Sequence, residues 1–307
     1  MTTLAPALVS LVPVLVGLCW LALPFTAGDL LATAAAQRST PVQWVLAVGL
    51  WLGWGVGVGT IAIARTSSLT LARYVIPAGL AATVWAAIDT DPDGNRALGA
   101  TGVVGLACAA AACALVLTAA YGDRSVNGSS YGAERRFALR PPTAVVLGPL
   151  PVLWVVVTAG VVAGPLLLAA RSWIAGVVVL AAGWALAPVI VRRTHLLSRR
   201  WLVLVPAGVV VHDPLVLTDS LLVQKGNLAG VGPALADTTA TDLTMGALGL
   251  AIEVRLGEPS TILTNADRRA AGGSFTAPGT EVEAVLVTPS RPGAVMRTVA
   301  ERGLPVR

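Results

Sequence analysis

Charge is what this chain has least of. Asp, Glu, Lys and Arg make up 12% of its 307 residues, against roughly 25% in an ordinary soluble domain. A chain so short of charge cannot cover a water-facing surface. With 55% hydrophobic residues and a mean hydropathy of +0.78, a wholly soluble fold is excluded. Lysine is almost missing: Lys225 stands alone among 21 basic residues. With Ala, Val, Gly and Leu so abundant, that skew reflects a GC-rich coding sequence and not a function. The 3 cysteines, Cys19, Cys108 and Cys113, all lie in apolar runs. Cys108 and Cys113 fall about 140° apart around a helix, so their spacing excludes a disulfide framework or a CxxC metal site. The only histidines, His195 and His212, have no Cys or second His at metal-ligand spacing. No P-loop or H-E-x-x-H is present. His212 adjoins Asp213, but neighbouring strand residues point to opposite faces. The expectation is a protein that is not an enzyme and carries no cofactor.

What is present is apolar length. A bilayer core of about 30 Å needs about 20 apolar residues as helix. Six segments qualify, at 4–24, 43–64, 69–88, 97–121, 144–170 and 173–191. The first is too long for a signal-peptide core and has no preceding basic residue, so it reads as a retained span. The third is the weakest, because Arg73 lies inside it and Pro77 interrupts it. Thirteen basic and 6 acidic residues precede Trp201, whereas 8 and 10 follow from there on. The high pI of 9.7 therefore belongs to the membrane half and does not argue for nucleic-acid binding. With the N-terminus inside, Arg65, Arg73, Arg124, Arg135, Arg136, Arg140, Arg192, Arg193, Arg199 and Arg200 fall on inner loops. Arg38, Arg96 and Arg171 fall outside. That bias places both termini in the cytoplasm of a multi-pass plasma-membrane protein.

The spans carry small residues at helical spacing. Gly49, Gly53 and Gly57 make two successive G-x-x-x-G steps, and Gly160 and Gly164 repeat the motif. Small residues let backbones approach, so van der Waals packing replaces the hydrophobic force that lipid removes. Packing within the bundle is the favoured use; a dimer face is the alternative. No Asp, Glu, His or Lys falls in the middle of a span, which argues against ion-coupled transport. Gly148-Pro149-Leu150-Pro151 and Gly164-Pro165 read as kinks.

Few loops offer chemistry. Asp89, Asp91 and Asp93 open a D-x-D-x-D-G pattern like a calcium loop, but the twelfth position is Ala100 instead of a bidentate Glu. A solvated acidic turn is the expected reading, with divalent binding as its weak rival. Gly122–Pro142 is rich in Gly and Ser, then basic at Arg135, Arg136 and Arg140, and is expected to be flexible. Arg192, Arg193, Arg199 and Arg200 follow the last span. Both clusters are candidates for contact with anionic headgroups.

From Trp201 the pattern changes to short Val-, Leu- and Ile-rich runs separated by Pro, Gly, Asp and Asn. Strands are predicted at 201–205, 208–212, 215–217, 221–224, 248–256, 261–264 and 281–287. Residues 251–256 alternate as a strand with one wet face should. A polar loop covers 266–279, and Ser290-Arg291-Pro292 starts a helix that Gly303 stops. The expected architecture is a six-span α-helical domain over 1–195 and a cytoplasmic β-rich domain over 196–307. Arg199-Arg200-Trp201-Leu202-Val203-Leu204-Val205, followed by Ala207-Gly208-Val209, is similar to the opening hairpin of bacterial PH-like domains attached to transmembrane helices. With Arg291-Pro292-Gly293 near the end, the whole layout resembles uncharacterised actinobacterial integral membrane proteins. The resemblance implies a binding or scaffolding module and carries over no catalytic residue. The partners expected are the lipid bilayer and a membrane or cytoplasmic protein, not nucleic acid. The alternative is a transporter or permease component for an apolar or lipidic substrate, with a cavity lined by Trp51, Trp54, Trp154 or Trp184.

Overall fold

The computed structural model describes residues 6–90, 98–272 and 278–307, with side chains from residue 11 onward. The chain divides into two compact units. One takes 1–125 and 151–193; the other takes 126–150 and 194–307.

The first unit is helical: α1 (Pro6–Thr26), α2 (Gly28–Ala36), α3 (Thr40–Ala62), α4 (Thr66–Thr90), α5 (Ala100–Val116), α6 (Ala119–Asn127), and, after a return through the second unit, α8 (Pro149–Ala169) and α9 (Trp173–Ser198). In lipid, backbone polar groups must be paired within the segment, which forces apolar runs into helix. Helices α3, α4, α8 and α9 are each long and apolar enough to cross a bilayer. Leu11–Thr26 with α2, and α5 with α6, form two further apolar pairs, bent by 45° and 62° at their breaks. Four such helices, or six counting the bent pairs, mark a membrane-embedded protein. The expected weak span around Arg73 is one of the four straight ones, while the fourth expected span stops at Val116 and turns. Beyond the turn, α6 carries Asp123 and Arg124.

Pro77 does not end α4. A proline leaves the carbonyl four residues back without its donor. At the next carbonyl, Tyr74 O, the Trp154 indole on α8 donates a hydrogen bond at 3.2 Å. Threonines look after themselves: Thr26, Thr83 and Thr90 donate to Ala22, Gly79 and Ala86 one turn back, at 2.9, 2.9 and 2.8 Å. Pro165 lies inside an unbroken α8, whereas Gly148 does separate two helices.

The glycine motifs divide. A Cβ at Gly160 would come within 2.9 Å of Gly183 Cα, and one at Gly164 within 2.5 Å of Leu180 Cα, so these residues let α8 and α9 touch backbone to backbone. A Cβ at Gly57 would fall inside the Trp20 indole. At Gly49 and Gly53 it would meet nothing within 4 Å, which corrects the expectation of bundle packing there. The reason is helical geometry: each four-residue step advances about 40° around the axis, so the row turns away from its neighbours.

The second unit opens with β1 (Arg135–Ala138) and α7 (Thr143–Leu147) and resumes with β2 (Trp201–Val205), β3 (Gly208–His212), β4 (Leu221–Gln224), β5 (Leu228–Pro233), β6 (Thr241–Asp242), β7 (Ile252–Ile262), α10 (Asn265–Ala270), β8 (Thr280–Val287) and α11 (Pro292–Glu301). Two four-stranded sheets result, ordered β1-β2-β3-β4 and β5-β7-β8-β6. They share one core that includes Phe137, Leu204, Val211, Ile252, Val285 and Val299. Helix α11 contributes Val295 and Val299, both fully buried, and ends as anticipated: Gly303 adopts φ 59° and the Leu304 amide bonds Val299 O at 3.1 Å.

Several expectations fail in this unit for local reasons. Residues 126–150, assigned to the membrane half, belong here. Part of the expected flexible loop is strand β1, held by Asn127, whose side chain bonds the Arg136 amide and carbonyl at 3.0 and 2.6 Å. Residues 215 and 216 turn instead of extending, because Asp213 Oδ1 accepts from the Leu215 amide at 3.1 Å, and only Leu217 of the expected strand bridges, to Thr264. Strand β5 is an addition to the expected strands, and it carries Gly230, Gly232 and Pro233. Its glycines make room for the C-terminus, where a Cβ at Gly232 would meet Arg307 O at 2.6 Å. The loop at 266–279 starts as α10, since Thr264 and Asp267 form a reciprocal capping box. Nor does β7 have one wet face: Glu253 is buried, bonded to Arg255, Arg307 and Thr238.

Candidate functional site

The pairing of β1 with β2 joins the two arginine clusters. Arg135 and Arg136 lie opposite Leu204 and Val203, and Ala138 lies opposite Trp201. Arg140 and Arg200, 60 positions apart, become neighbours: Arg200 Nη1 donates to Arg140 O at 3.0 Å. Arg135, Arg140 and Arg199 are exposed on this unit, and Arg192 and Arg193 are exposed near the end of α9.

Arg200 does not belong to that exposed set. Its side chain, like that of Asp213, is 1% exposed. Nε and Nη2 donate to Asp213 Oδ2 at 2.8 and 2.7 Å. The expectation of headgroup contact is therefore corrected for Arg200: it is a strut between β1, β2 and the turn after β3. Nothing in a run of Arg-Arg before a strand separates the buried arginine from its exposed neighbour. The signal lay in Asp213, which a single turn after β3 brings to the start of β2.

Arg136 is half-buried and occupied. It bonds Glu134 at 2.6 Å and lies over the Trp201 ring at 5.2 Å. Trp201 in turn stacks on His212, its cross-strand partner, with centroids 4.8 Å apart and planes 22° apart. His212 Nδ1 shares a hydrogen bond with Ser220 Oγ at 2.7 Å, while Nε2 is buried without a partner. Burial and the Arg199 and Arg136 guanidiniums outweigh Asp213 and push the His212 pKa below its ordinary value. The unfolded chain thus binds a proton that the folded unit resists. Stability should be level above the unfolded value of about 6.5 and fall as pH drops below it, until His212 protonates in the folded state. His212→Gln should flatten that part of a denaturation-versus-pH curve; an unchanged slope would clear His212.

Metal chemistry finds no built site. Among the described residues no three His, Cys, Asp or Glu side chains converge. Asp89 instead pairs with Arg38, which lies over Trp85. Asp91 and Asp93 lie outside the described residues. Of the tryptophans proposed to line a cavity, Trp54 bonds Trp20 and Trp154 bonds Tyr74 O. Trp51 and Trp184 are 61% and 60% exposed. Trp51 and Trp54 meet edge to face, with ring centroids 5.5 Å apart.

The β-rich unit has a groove of about 380 Å³, lined by 239–241, Arg255, Pro259 and 281–284. Arg255, in its lining, pairs with the buried Glu253. Burial raises the Glu253 pKa, but the Thr238 hydroxyl and the Arg255 and Arg307 guanidiniums prevail and hold it below the usual carboxylate value. Comparison with protein-family models, with curated proteins and with solved structures returned no match, so the functional reading rests on these residues alone.

Proposed function

We propose that this is a non-enzymatic multi-pass protein of the plasma membrane whose helical unit anchors a cytoplasmic, β-rich binding or scaffolding domain at the bilayer surface. The observation that carries the reading is the joining of Arg135, Arg140 and Arg199 by one strand pair, on a unit that follows directly from α9 with its exposed Arg192 and Arg193. Basic residues near anionic headgroups gain about 1 kcal/mol each. The PH-like reading of the domain draws support from two four-stranded sheets sharing a core with the closing helix α11. An apolar-substrate carrier draws no support from Trp54 and Trp154, whose indoles are bonded to backbone carbonyls within the helical unit. Affinity purification of the tagged chain from mildly solubilised membranes should recover a specific partner protein, identified by mass spectrometry. Recovery of the chain alone, at several detergent strengths, would count against the scaffold.

A further inference from the structure

The inference starts from an edge that the fold leaves open. Strand β8 spans eight residues, Thr280–Val287. Its inner side pairs with β7 at both ends of a register shift. Among the described residues its outer side pairs at Val285 and Leu286, with the two-residue β6, and Leu243 extends that contact by one bond to Leu286 O at 3.1 Å. Among the described residues, no strand pairs with the outer side of 281–284.

The segment that would continue β6 along this edge is held elsewhere. Thr238 Oγ1 donates to the buried Glu253 carboxylate at 2.8 Å and accepts from the Ala240 amide at 3.2 Å. Glu253 is itself fixed by Arg255 and Arg307, at 2.9 and 2.7 Å. The chain at 238–240 is thereby tied away from 281–284, and the groove of about 380 Å³ lies between them. The gap is built by partnered side chains.

An open edge presents main-chain donors and acceptors to any extended chain, and proteins usually guard such edges with charge. Here the guard has one sign. Glu281 and Glu283 are exposed, while the alternating Val282 and Ala284 are buried. The groove's one cation, Arg255, is already committed to Glu253. Two free carboxylates repel acidic strands, discourage a second copy of the same edge and favour a strand that carries Lys or Arg.

We propose that the outer edge of β8 at 281–284 receives an extended, basic peptide segment of a partner protein as an added strand, with Glu281 and Glu283 pairing its cations. Main-chain bonds give such docking its strength and alternate side chains its selectivity. The idea rests on reading the β-rich unit as a binding module.

The test uses the full-length protein in uncharged detergent micelles and a fluorescein-labelled peptide of alternating Lys and Val, followed by anisotropy. The Lys–Val peptide is expected to bind, and its Glu–Val counterpart to fail. Reversing both carboxylates, Glu281→Lys with Glu283→Lys, should weaken binding about tenfold, as two exposed ion pairs become repulsive. Alternate N-methylation of the peptide, which removes strand donors and keeps the charge, should abolish it. No binding of the Lys–Val peptide, or binding that survives N-methylation, would overturn strand addition. A partner that is purified equally well by the wild type and the doubly reversed variant would remove this edge while leaving the anchoring function standing.

Discussion

Arg200→Ala is expected to destabilise the β-rich unit by about 3–5 kcal/mol, the range for removing one partner of a buried ion pair. The effect is large because three contacts go together. Asp213 would keep a buried carboxylate whose Oδ2 had lost both guanidinium donors, and Arg140 O would lose its own. Asp213 also holds the turn after β3 through the Leu215 amide. A domain holds only about 5–15 kcal/mol in all, so the variant should sit close to unfolding. Hydrogen exchange of the full-length protein in micelles gives the readout, with amides of β1, β2 and β3 losing protection first. Arg200→Met combined with Asp213→Leu should recover much of the loss, since a well-packed apolar pair avoids the desolvation that the ions suffer. Wild-type exchange in Arg200→Ala would show that the strut is dispensable.

Gly57→Val should be nearly as damaging in the helical unit, at about 3–5 kcal/mol, comparable to deleting a buried tryptophan. Trp20 on α1 is 2% exposed and lies between Gly57 on α3 and Gly79 on α4, where a Cβ would meet its ring at 2.7 Å. Its indole donates to Trp54 O at 2.9 Å, and the Trp54 indole donates back to Trp20 O at 3.1 Å. A side chain at 57 evicts the ring and breaks both bonds, in surroundings where lipid offers no substitute partner. Gly53→Val and Gly59→Val supply the contrast, because nothing lies within 4 Å of either position. Heating the solubilised protein and measuring what stays monodisperse should separate Gly57→Val from both. Equal losses at all three positions would mean that helix propensity, not the Trp20 seat, sets the stability.

Two features of the β-rich unit show how local and distant information differ. The hairpin β2–β3 and strand β4 were legible to the residue, since apolar runs bounded by Pro-Ala and by Asp-Ser announce themselves. Helix α11 was legible in its start at Ser290-Arg291-Pro292 and in its glycine stop, with its N-cap on Arg291. Strand β1 was not legible. Four residues, Arg-Arg-Phe-Ala, have no strand pattern of their own and become one because β2 offers an edge and Asn127 fixes the approach. The groove was equally hidden, as its walls come from 239–241 and 281–284 and its shape from Thr238 reaching Glu253.

By itself the sequence determined the membrane class, the apolar helices and the shift to short strands after Trp201. Each of these depends on composition or on periodicity within a few turns, and solvent enforces them one segment at a time. Only the tertiary structure decided which arginine is a buried strut and which are exposed, which glycines seat a neighbour and which face open space, and which strand edge lacks a partner among the described residues. Those outcomes depend on which distant segment arrives beside a residue. The Arg-Arg pair at 199–200 and the G-x-x-x-G row at 49–57 read the same whether a partner is there or not.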